Sequence, residues 1–105
     1  MKKVYAMLGM AMKAGKVASG EFSTEKSVKS GHAYLVIVSE DASNNTKKMF
    51  SNMCKFYEVP RYFFGTKEEL GSAIGKGIRS SLAITDENFA ESIRKGLEQF
   101  GSRTE

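Results

Sequence analysis

Apolar residues recur along the chain with two different spacings, which alternate between helices and strands. Val4 and Leu8 recur at helical spacing near the start, and Ile93 and Leu97 do so near the end. A continuous apolar run at 34–38 is typical of a central strand that helices cover on both faces. The pattern predicts five helices separated by four strands. The predicted strands span residues 16–19, 34–38, 61–64 and 82–85.

Residues that start a helix mark where several of these helices begin. Asp41 and Ser43 supply capping side chains for the third helix, whose apolar face is predicted to extend to Tyr57. The segment 66–69 has the spacing of a capping box and opens the fourth helix. Asp86 is predicted to cap the last helix in the same way. Helices two to five are therefore separated by well-marked boundaries.

The alternation of strands and helices predicts the fold class. Parallel strands need helical crossovers, and such crossovers cover both faces of the sheet. We therefore expect an α/β fold, a three-layer α/β/α sandwich with a central mixed sheet of about four strands. Residues 1–100 are predicted to form a single domain, and 101–105 a frayed C-terminal tail.

Composition and charge narrow the class of partner. The chain has 105 residues, of which 41% are hydrophobic, enough for one globular domain with its own core. Its net charge of +4 favours an anionic partner. The charge is uneven, with +4 in residues 1–30, +2 in 61–80 and −2 in 81–105. Basic residues are thus concentrated in two segments.

The single cysteine, Cys54, excludes an internal disulfide and a cysteine-rich zinc site. A reducing compartment is the simplest interpretation, and we expect a cytoplasmic protein. The first fifteen residues carry no long apolar stretch or cleavage site, so neither a signal peptide nor a membrane span is predicted. No metal or cofactor is expected.

Candidate enzyme motifs are weak, and no small-molecule substrate is expected. Residues 71–77 resemble a phosphate-binding loop, but three residues rather than four separate the glycines and no Ser or Thr follows the lysine. His32 beside Gly31 favours a solvated turn over a general base. Cys54 lies on a predicted core face, where a thiol is inert. Asp41 is explained by helix capping without acid–base catalysis.

The stretch that does indicate binding runs from a short strand into the second helix. Phe22 and Lys26 are four residues apart and share one face, whereas Thr24 and Val28 form a separate pair that suits the core. Phe22 is thus a large aromatic near a helix N-terminus, where unpaired N–H groups favour phosphate. Two other interpretations stay open: a merely solvated helix face, or Phe22 folded back against Val17 or the neighbouring loop.

A second basic segment is the glycine-bracketed loop 75–79. In the predicted sandwich this loop and the start of the second helix can lie at the same end of the sheet. Unstacked bases stack on aromatic or apolar side chains, while lysines and helix N-termini bind phosphates, a combination that suits structured RNA. The residues expected to come together are Lys16, Phe22, Lys26, Lys76, Ile78 and Arg79.

At these residues the sequence resembles the L7Ae/L30e ribosomal-protein family of kink-turn RNA binders, most closely its small bacterial members of the YlxQ type. The similarity covers nearly the whole chain, from the first helix to Thr85. Taken together, the order and spacing of the matching segments are specific for this family. These segments are Gly15-Lys16, Gly20 with Lys26, Gly31, the strand 35–38 leading into Glu40-Asp41-Ala42, Val59-Pro60, Leu70-Gly71, Ala73, Gly75 and 82–84.

The resemblance implies an α/β/α sandwich that binds a kinked RNA internal loop without enzymatic activity. In the family, a Gly-x-Asn-Glu-x-x-Lys segment holds the sheared G·A pairs. Here Gly20 and Lys26 match, while Phe22 and Ser23 occupy the Asn and Glu positions. The loop 76–79 corresponds to the family loop that packs against an extruded nucleotide. The resemblance and the residues together give RNA-binding candidates Lys16, Gly20, Phe22, Ser23, Lys26, Lys76, Gly77, Ile78 and Arg79.

The expected partner is structured RNA such as ribosomal RNA, together with ribosomal or RNA-processing proteins. Gly20 is expected to allow close backbone approach and Lys16 and Lys26 to neutralise phosphates. Phe22 is expected to stack or wedge, with Ile78 as the apolar contact of the loop. The alternative is a protein-interaction scaffold that kept the fold and lost kink-turn recognition.

Overall fold

The computed structural model describes residues 2–99, which form five helices and four strands in the predicted order. Most boundaries lie within one or two residues of those expected from the sequence. The predicted tail, 101–105, lies outside the described residues. The elements are α1 (Lys2–Lys13), β1 (Val17–Ser19), α2 (Glu21–Lys29), β2 (Leu35–Val38), α3 (Asn44–Tyr57), β3 (Arg61–Phe63), α4 (Lys67–Ala73), β4 (Ser81–Ile84) and α5 (Glu87–Gln99).

The four strands form one mixed sheet in the order β1-β4-β2-β3. Strands β2 and β3 are parallel, while β4 runs antiparallel to both of its neighbours. The register pairs Val17 with Ile84 and Ser19 with Leu82. The end of β1 therefore lies beside the start of β4, which brings the entry to α2 next to the segment that precedes β4.

The sheet is covered by helices on both faces, which confirms the predicted three-layer sandwich. Successive side chains of a strand point to opposite faces. Leu35 and Ile37 of β2 pack in one buried cluster with residues of α1, α4 and α5. Val36 and Val38 pack in a second cluster with residues of α2 and α3. All four side chains are fully buried, as the continuous apolar run predicted.

The predicted caps are present, with one correction. Ser43 accepts a hydrogen bond from the Thr46 N–H at 3.1 Å, and Asp86 accepts one from the Phe89 N–H at 2.8 Å. The capping box between Thr66 and Glu69 is complete. The prediction that Asp41 caps α3 was wrong, because its carboxylate accepts from the Lys67 N–H of α4 at 2.9 Å. The parallel pairing of β2 with β3 brings these two segments together.

Tyr57 is a second correction. Helical spacing placed it on the buried face of α3, but 40% of its surface is exposed. The chain reverses at Glu58, which adopts a left-handed conformation with φ 58°, so Tyr57 lies in the last turn of the helix. Its ring packs edge-on against Phe56 instead of entering the core.

Within residues 2–99 no helix is both long and apolar enough to cross a membrane.

Cys54 is expected to be chemically inert in the folded protein. The side chain is buried on the α3 face of the sheet, and desolvation raises the pKa of its thiol to about 11 against the opposing charge of Arg61. At pH 8 only about one thiol in a thousand is then the reactive thiolate. We expect iodoacetamide to modify the native protein very slowly, with a rate that rises with pH, and the urea-unfolded protein quickly. Equal native and unfolded rates at pH 8 would contradict this burial.

Candidate nucleic-acid interface

The corner between β1 and α2 depends on Gly20. Its φ of 93° lies in a region that side chains rarely adopt, and its N–H donates to the Ser81 carbonyl at 3.0 Å. The first intrahelical bond runs from the Thr24 N–H to the Gly20 carbonyl, and no side chain caps the helix. The N–H groups of residues 21–23 therefore point out of the helix end, where they favour an anion.

The exposed face of α2 has the composition that the sequence predicted. Phe22 is 77% exposed, so the alternative in which it folds back against Val17 or the neighbouring loop is wrong. Thr24 and Val28 face the sheet and are fully buried. The Phe22 ring is thus exposed to solvent beside the free N–H groups of the first turn, while other residues of α2 pack against the core.

The loop 75–79 is held in place by a close contact with α4. Gly75 reverses the chain with φ 71°, and the Lys76 N–H donates to the Gly71 carbonyl at 2.8 Å. Gly71 is buried, and a Cβ atom built on it would lie 1.8 Å from the Gly77 carbonyl oxygen. Because only glycine leaves room for that oxygen, Gly71 fixes the position of the loop.

The loop meets the corner through Arg79. Its Nε donates to the Ser19 hydroxyl at 3.2 Å, and its backbone N–H donates to the Lys67 carbonyl at 3.1 Å. A groove of about 380 Å³ lies between the β1–α2 corner and the end of the loop, and we call it the corner groove. Ile78, 62% exposed, is one of its apolar residues. The groove is lined by Ser19, Gly20, Glu21, Phe22, Ser23, Ile78, Arg79 and Ser80.

A second groove of about 390 Å³ runs along the exposed face of α2, and we call it the α2 groove. Phe22 lines both grooves and so connects them. Glu25 and Lys29 form an ion pair at 2.7 Å and compensate each other. Within residues 2–99, Lys26 makes no ion pair and is the uncompensated charge here. The α2 groove is lined by Phe22, Glu25, Lys26, Lys29 and Ser30.

The structure brings most, but not all, of the predicted residues together. Lys16 lies at the far end of β1, where its carbonyl accepts from the Thr85 N–H at 2.8 Å. Four residues of extended chain, roughly 13 Å, separate it from Gly20. The structure therefore does not bring Lys16 together with Phe22 and the loop 75–79, contrary to that expectation, and its contact with RNA stays a prediction. Lys76 and Gly77 are exposed in the loop, outside the residues that line the corner groove.

Three groove residues were not singled out from the sequence. Ser19 contacts Arg79, while Glu21 and Ser80 complete the lining. Small polar residues directly before Gly20 and directly before β4 were the available signal. They become informative only once β1 is known to pair with β4.

The arrangement offers anion-binding and stacking groups rather than a catalytic constellation. N–H groups, hydroxyls and the Arg79 guanidinium surround a groove flanked by Phe22 and Ile78. In the described part of the chain, no three His, Cys, Asp or Glu side chains are grouped to hold a metal ion. The segment 71–77 begins within the last turn of α4 and leads towards strand β4, whereas a phosphate-binding loop leads from a strand into a helix. His32 is exposed and lies 2.8 Å from the Ser30 hydroxyl.

Comparison with known proteins gives consistent matches over most of the chain. The model of the Ribosomal protein L7Ae/L30e/S12e/Gadd45 family matches residues 2–94. A protein named RNA-binding protein YlxQ from Bacillus subtilis is 39% identical, covering 85% of this chain and 89% of the relative. Its namesake from Enterococcus faecium is 35% identical, covering 92% and 93%. A solved protein of unknown function from Bacillus halodurans C has a TM-score of 0.90 at 33% identity, covering 93% and 99%.

We predict that Gly71→Ala destabilises the protein although alanine is the better helix former. Helical propensity alone would favour alanine by about 1 kcal/mol. The added methyl group meets a backbone oxygen, so the loop must move, and we expect a net loss of roughly 1–3 kcal/mol in urea unfolding. Gly77→Ala is the matched control, since nothing lies within 4 Å of its Cβ position. Equal stability of the two variants would show that the contact does not fix the loop.

Proposed function

The chain belongs to the Ribosomal protein L7Ae/L30e/S12e/Gadd45 family, and on that premise we propose that it is a non-enzymatic RNA-binding protein of the ribosomal-protein type. Its proposed ligand is a kink-turn or a similar structured internal loop. The names of the two YlxQ relatives support RNA binding. The observation that carries the proposal is the corner groove, where an uncapped helix N-terminus, Phe22 and the loop 75–79 meet.

Each side of the corner groove has a role in this proposal. The N–H groups of residues 21–23 and the Ser23 hydroxyl bind phosphate or ribose oxygens. Gly20 has no side chain, so the RNA can approach the backbone closely at this position. Phe22 and Ile78, on the two elements that border the groove, contact an unstacked base. The apolar part of the site can thus bind only a nucleotide whose base is extruded from the RNA helix.

The basic residues are proposed to act on phosphates at different distances from the groove. Lys26 lies one helical turn beyond Phe22 and is uncompensated, so it binds the backbone beside the stacked base. Arg79 anchors the loop through Ser19 and the Ile78 carbonyl, which leaves its remaining N–H donors for the RNA. Lys16 and Lys76, exposed and outside the groove, contact more distant phosphates.

Phe22 and Ser23 set the proposed mode of recognition. They stand where the family segment that the sequence resembles has an amide and a carboxylate. A phenyl ring cannot hydrogen-bond a guanine edge, so base identity is read weakly at this position. We propose that the protein recognises the shape of the kinked backbone and one extruded base, and that it does so on cytoplasmic RNA such as ribosomal RNA.

The high exposure of Phe22 also favours a second candidate function. A 77% exposed aromatic is a typical anchor of a protein interface. In that case the chain is a scaffold that kept the fold and lost kink-turn recognition, with ribosomal or RNA-processing proteins as partners. The two functions differ in whether the protein binds RNA at low salt.

A titration with three RNAs tests the proposal. The RNAs are a kink-turn, the same molecule with its G·A pairs replaced, and a plain duplex. We would measure the binding of each at about 50 and about 200 mM salt. We expect the kink-turn to bind at least tenfold tighter than the duplex at both salt concentrations. Equal weak binding of all three would contradict kink-turn recognition. No binding at low salt would favour the scaffold.

The same titration with Lys26→Ala tests the assignment of the phosphate contact. Removing one phosphate contact should weaken binding to the kink-turn and reduce the slope of log K against log salt by about 1. Lys95→Ala is the matched control, because Lys95 is an exposed lysine on α5, in the opposite helix layer. Identical effects of the two substitutions would mean that Lys26 affects binding only through the net charge of the protein and makes no specific phosphate contact.

A further inference from the structure

Among the residues that line the corner groove in the described part of the chain, Glu21 alone is acidic. It is the first residue of α2, and its side chain is exposed. Within residues 2–99 its carboxylate forms no ion pair and accepts no hydrogen bond. Its negative charge repels the phosphates that the groove is proposed to bind. The function proposed above gives this carboxylate no role, so its presence in the groove needs a separate explanation.

Helix stability explains part of the presence of Glu21. A negative side chain in the first turn of a helix interacts favourably with the helix dipole. Glu87 has the same position in α5, where it is also the first helical residue and also exposed. Glu87 lies outside the corner groove, so Glu21 differs from it by its place in the proposed RNA site. A comparison of the two residues therefore separates a stabilising role from a binding role.

The position of Glu21 suits contact with the edge of a base rather than with its face. Successive side chains of a helix point about 100° apart, so Glu21 does not cover the ring of Phe22, the next residue. Both side chains nevertheless line the same groove, with Ile78 on the side of the loop. A base that stacks on Phe22 therefore presents its edge to the space that the Glu21 carboxylate lines.

We infer that Glu21 makes the corner groove selective for guanine as the extruded base. An ionised carboxylate has two acceptor oxygens and no donor. The Watson–Crick edge of guanine presents two adjacent donors, the N1–H and the N2 amino group, so one carboxylate can bind both at once. This inference rests on the proposed function, since it names the base that the site described there binds.

The other three bases fit a carboxylate less well. Adenine and cytosine each place a ring-nitrogen acceptor beside their amino donor, and uracil places its N3–H between two carbonyl oxygens. One carboxylate oxygen then meets a donor while the other meets an acceptor, which repels it. Glu21 therefore favours guanine by attraction and disfavours the other bases by repulsion, and both effects contribute to specificity.

Arg79 supplies donors on the opposite side of the corner groove. Its Nε donates to the Ser19 hydroxyl at 3.2 Å and its Nη1 to the Ile78 carbonyl at 2.9 Å, which fixes the side chain and leaves further guanidinium N–H donors for a ligand. Guanine carries two acceptors that an arginine binds, O6 and N7. Within residues 2–99 no ion pair joins Glu21 to Arg79, so both groups are open to the base.

The test compares kink-turn RNAs that differ only in the extruded base, which is guanine, hypoxanthine, adenine, cytosine or uracil. We expect the unchanged protein to bind the guanine form about tenfold tighter than the adenine, cytosine and uracil forms. Hypoxanthine, which lacks the amino group of guanine, should give an intermediate affinity. The protein variants are Glu21→Gln, which keeps the size of the side chain and replaces one acceptor by a donor, and Glu87→Gln as the matched control. The control makes the same change of charge at the same helical position of α5.

Glu21→Gln should abolish the preference for guanine, whereas Glu87→Gln should retain it. Both residues are exposed, so both variants should fold, and the circular dichroism spectrum checks this. If the unchanged protein binds all forms of the kink-turn equally, the inference is overturned and the proposed function stands. The same holds if Glu21→Gln changes the affinity for every form by the same factor, because the carboxylate then acts only through its charge.

A second measurement tests the inference even if kink-turn recognition fails. Binding of the kink-turn no tighter than a plain duplex would overturn the proposed function. Guanosine 5′-monophosphate should still shift the NMR signals of the amides of residues 20–23 more than the adenosine, cytidine and uridine monophosphates do. That difference should disappear in Glu21→Gln and remain in Glu87→Gln. Equal shifts with all the mononucleotides, or a guanine preference that survives Glu21→Gln, would overturn the inference.

Discussion

The antiparallel pairing of β1 with β4 is the constraint on which the candidate interface depends. It places Gly20 against Ser81, so the uncapped first turn of α2 lies beside the segment that enters β4. The left-handed glycine then turns the chain into α2 without a side chain that would fill the corner. On the other side, Gly71 lets the loop carbonyl approach α4 and sets the second wall of the groove. Two glycines and one strand pairing thus create a surface whose parts lie sixty residues apart.

Features that depend on local periodicity could be predicted from the sequence. The continuous apolar run gave a strand buried on both faces, and helical spacing separated the exposed Phe22 from the buried Thr24. Features that depend on strand order could not. Lys16 is close to Gly20 in sequence, but the extended strand carries it to the opposite end of the sheet. Asp41 accepts a hydrogen bond from the first turn of α4 because β2 and β3 are neighbours, and the local sequence pattern does not predict that pairing.

The same distinction explains why the groove was anticipated only in outline. Phe22 and Ile78 were named in advance as the apolar contacts of the site, but Ser19 gained a role only through its hydrogen bond to Arg79. Residues 22 and 23 differ from the segment that the sequence resembles, and this difference has a physical consequence. The site offers backbone N–H groups, hydroxyls and aromatic faces, which bind phosphates and unstacked bases well and read base edges poorly.

The central claim is that RNA binds where the corner of β1 and α2 meets the loop 75–79. The most direct measurement is a ¹H–¹⁵N NMR titration of the labelled protein with a kink-turn RNA. The account predicts the largest shift changes at the amides of residues 20–23 and 78–80 together, with smaller changes along α2 and little change in α1 and α5. Changes concentrated in α1 or α5, or at only one of the two segments, would contradict a binding site formed by their juxtaposition.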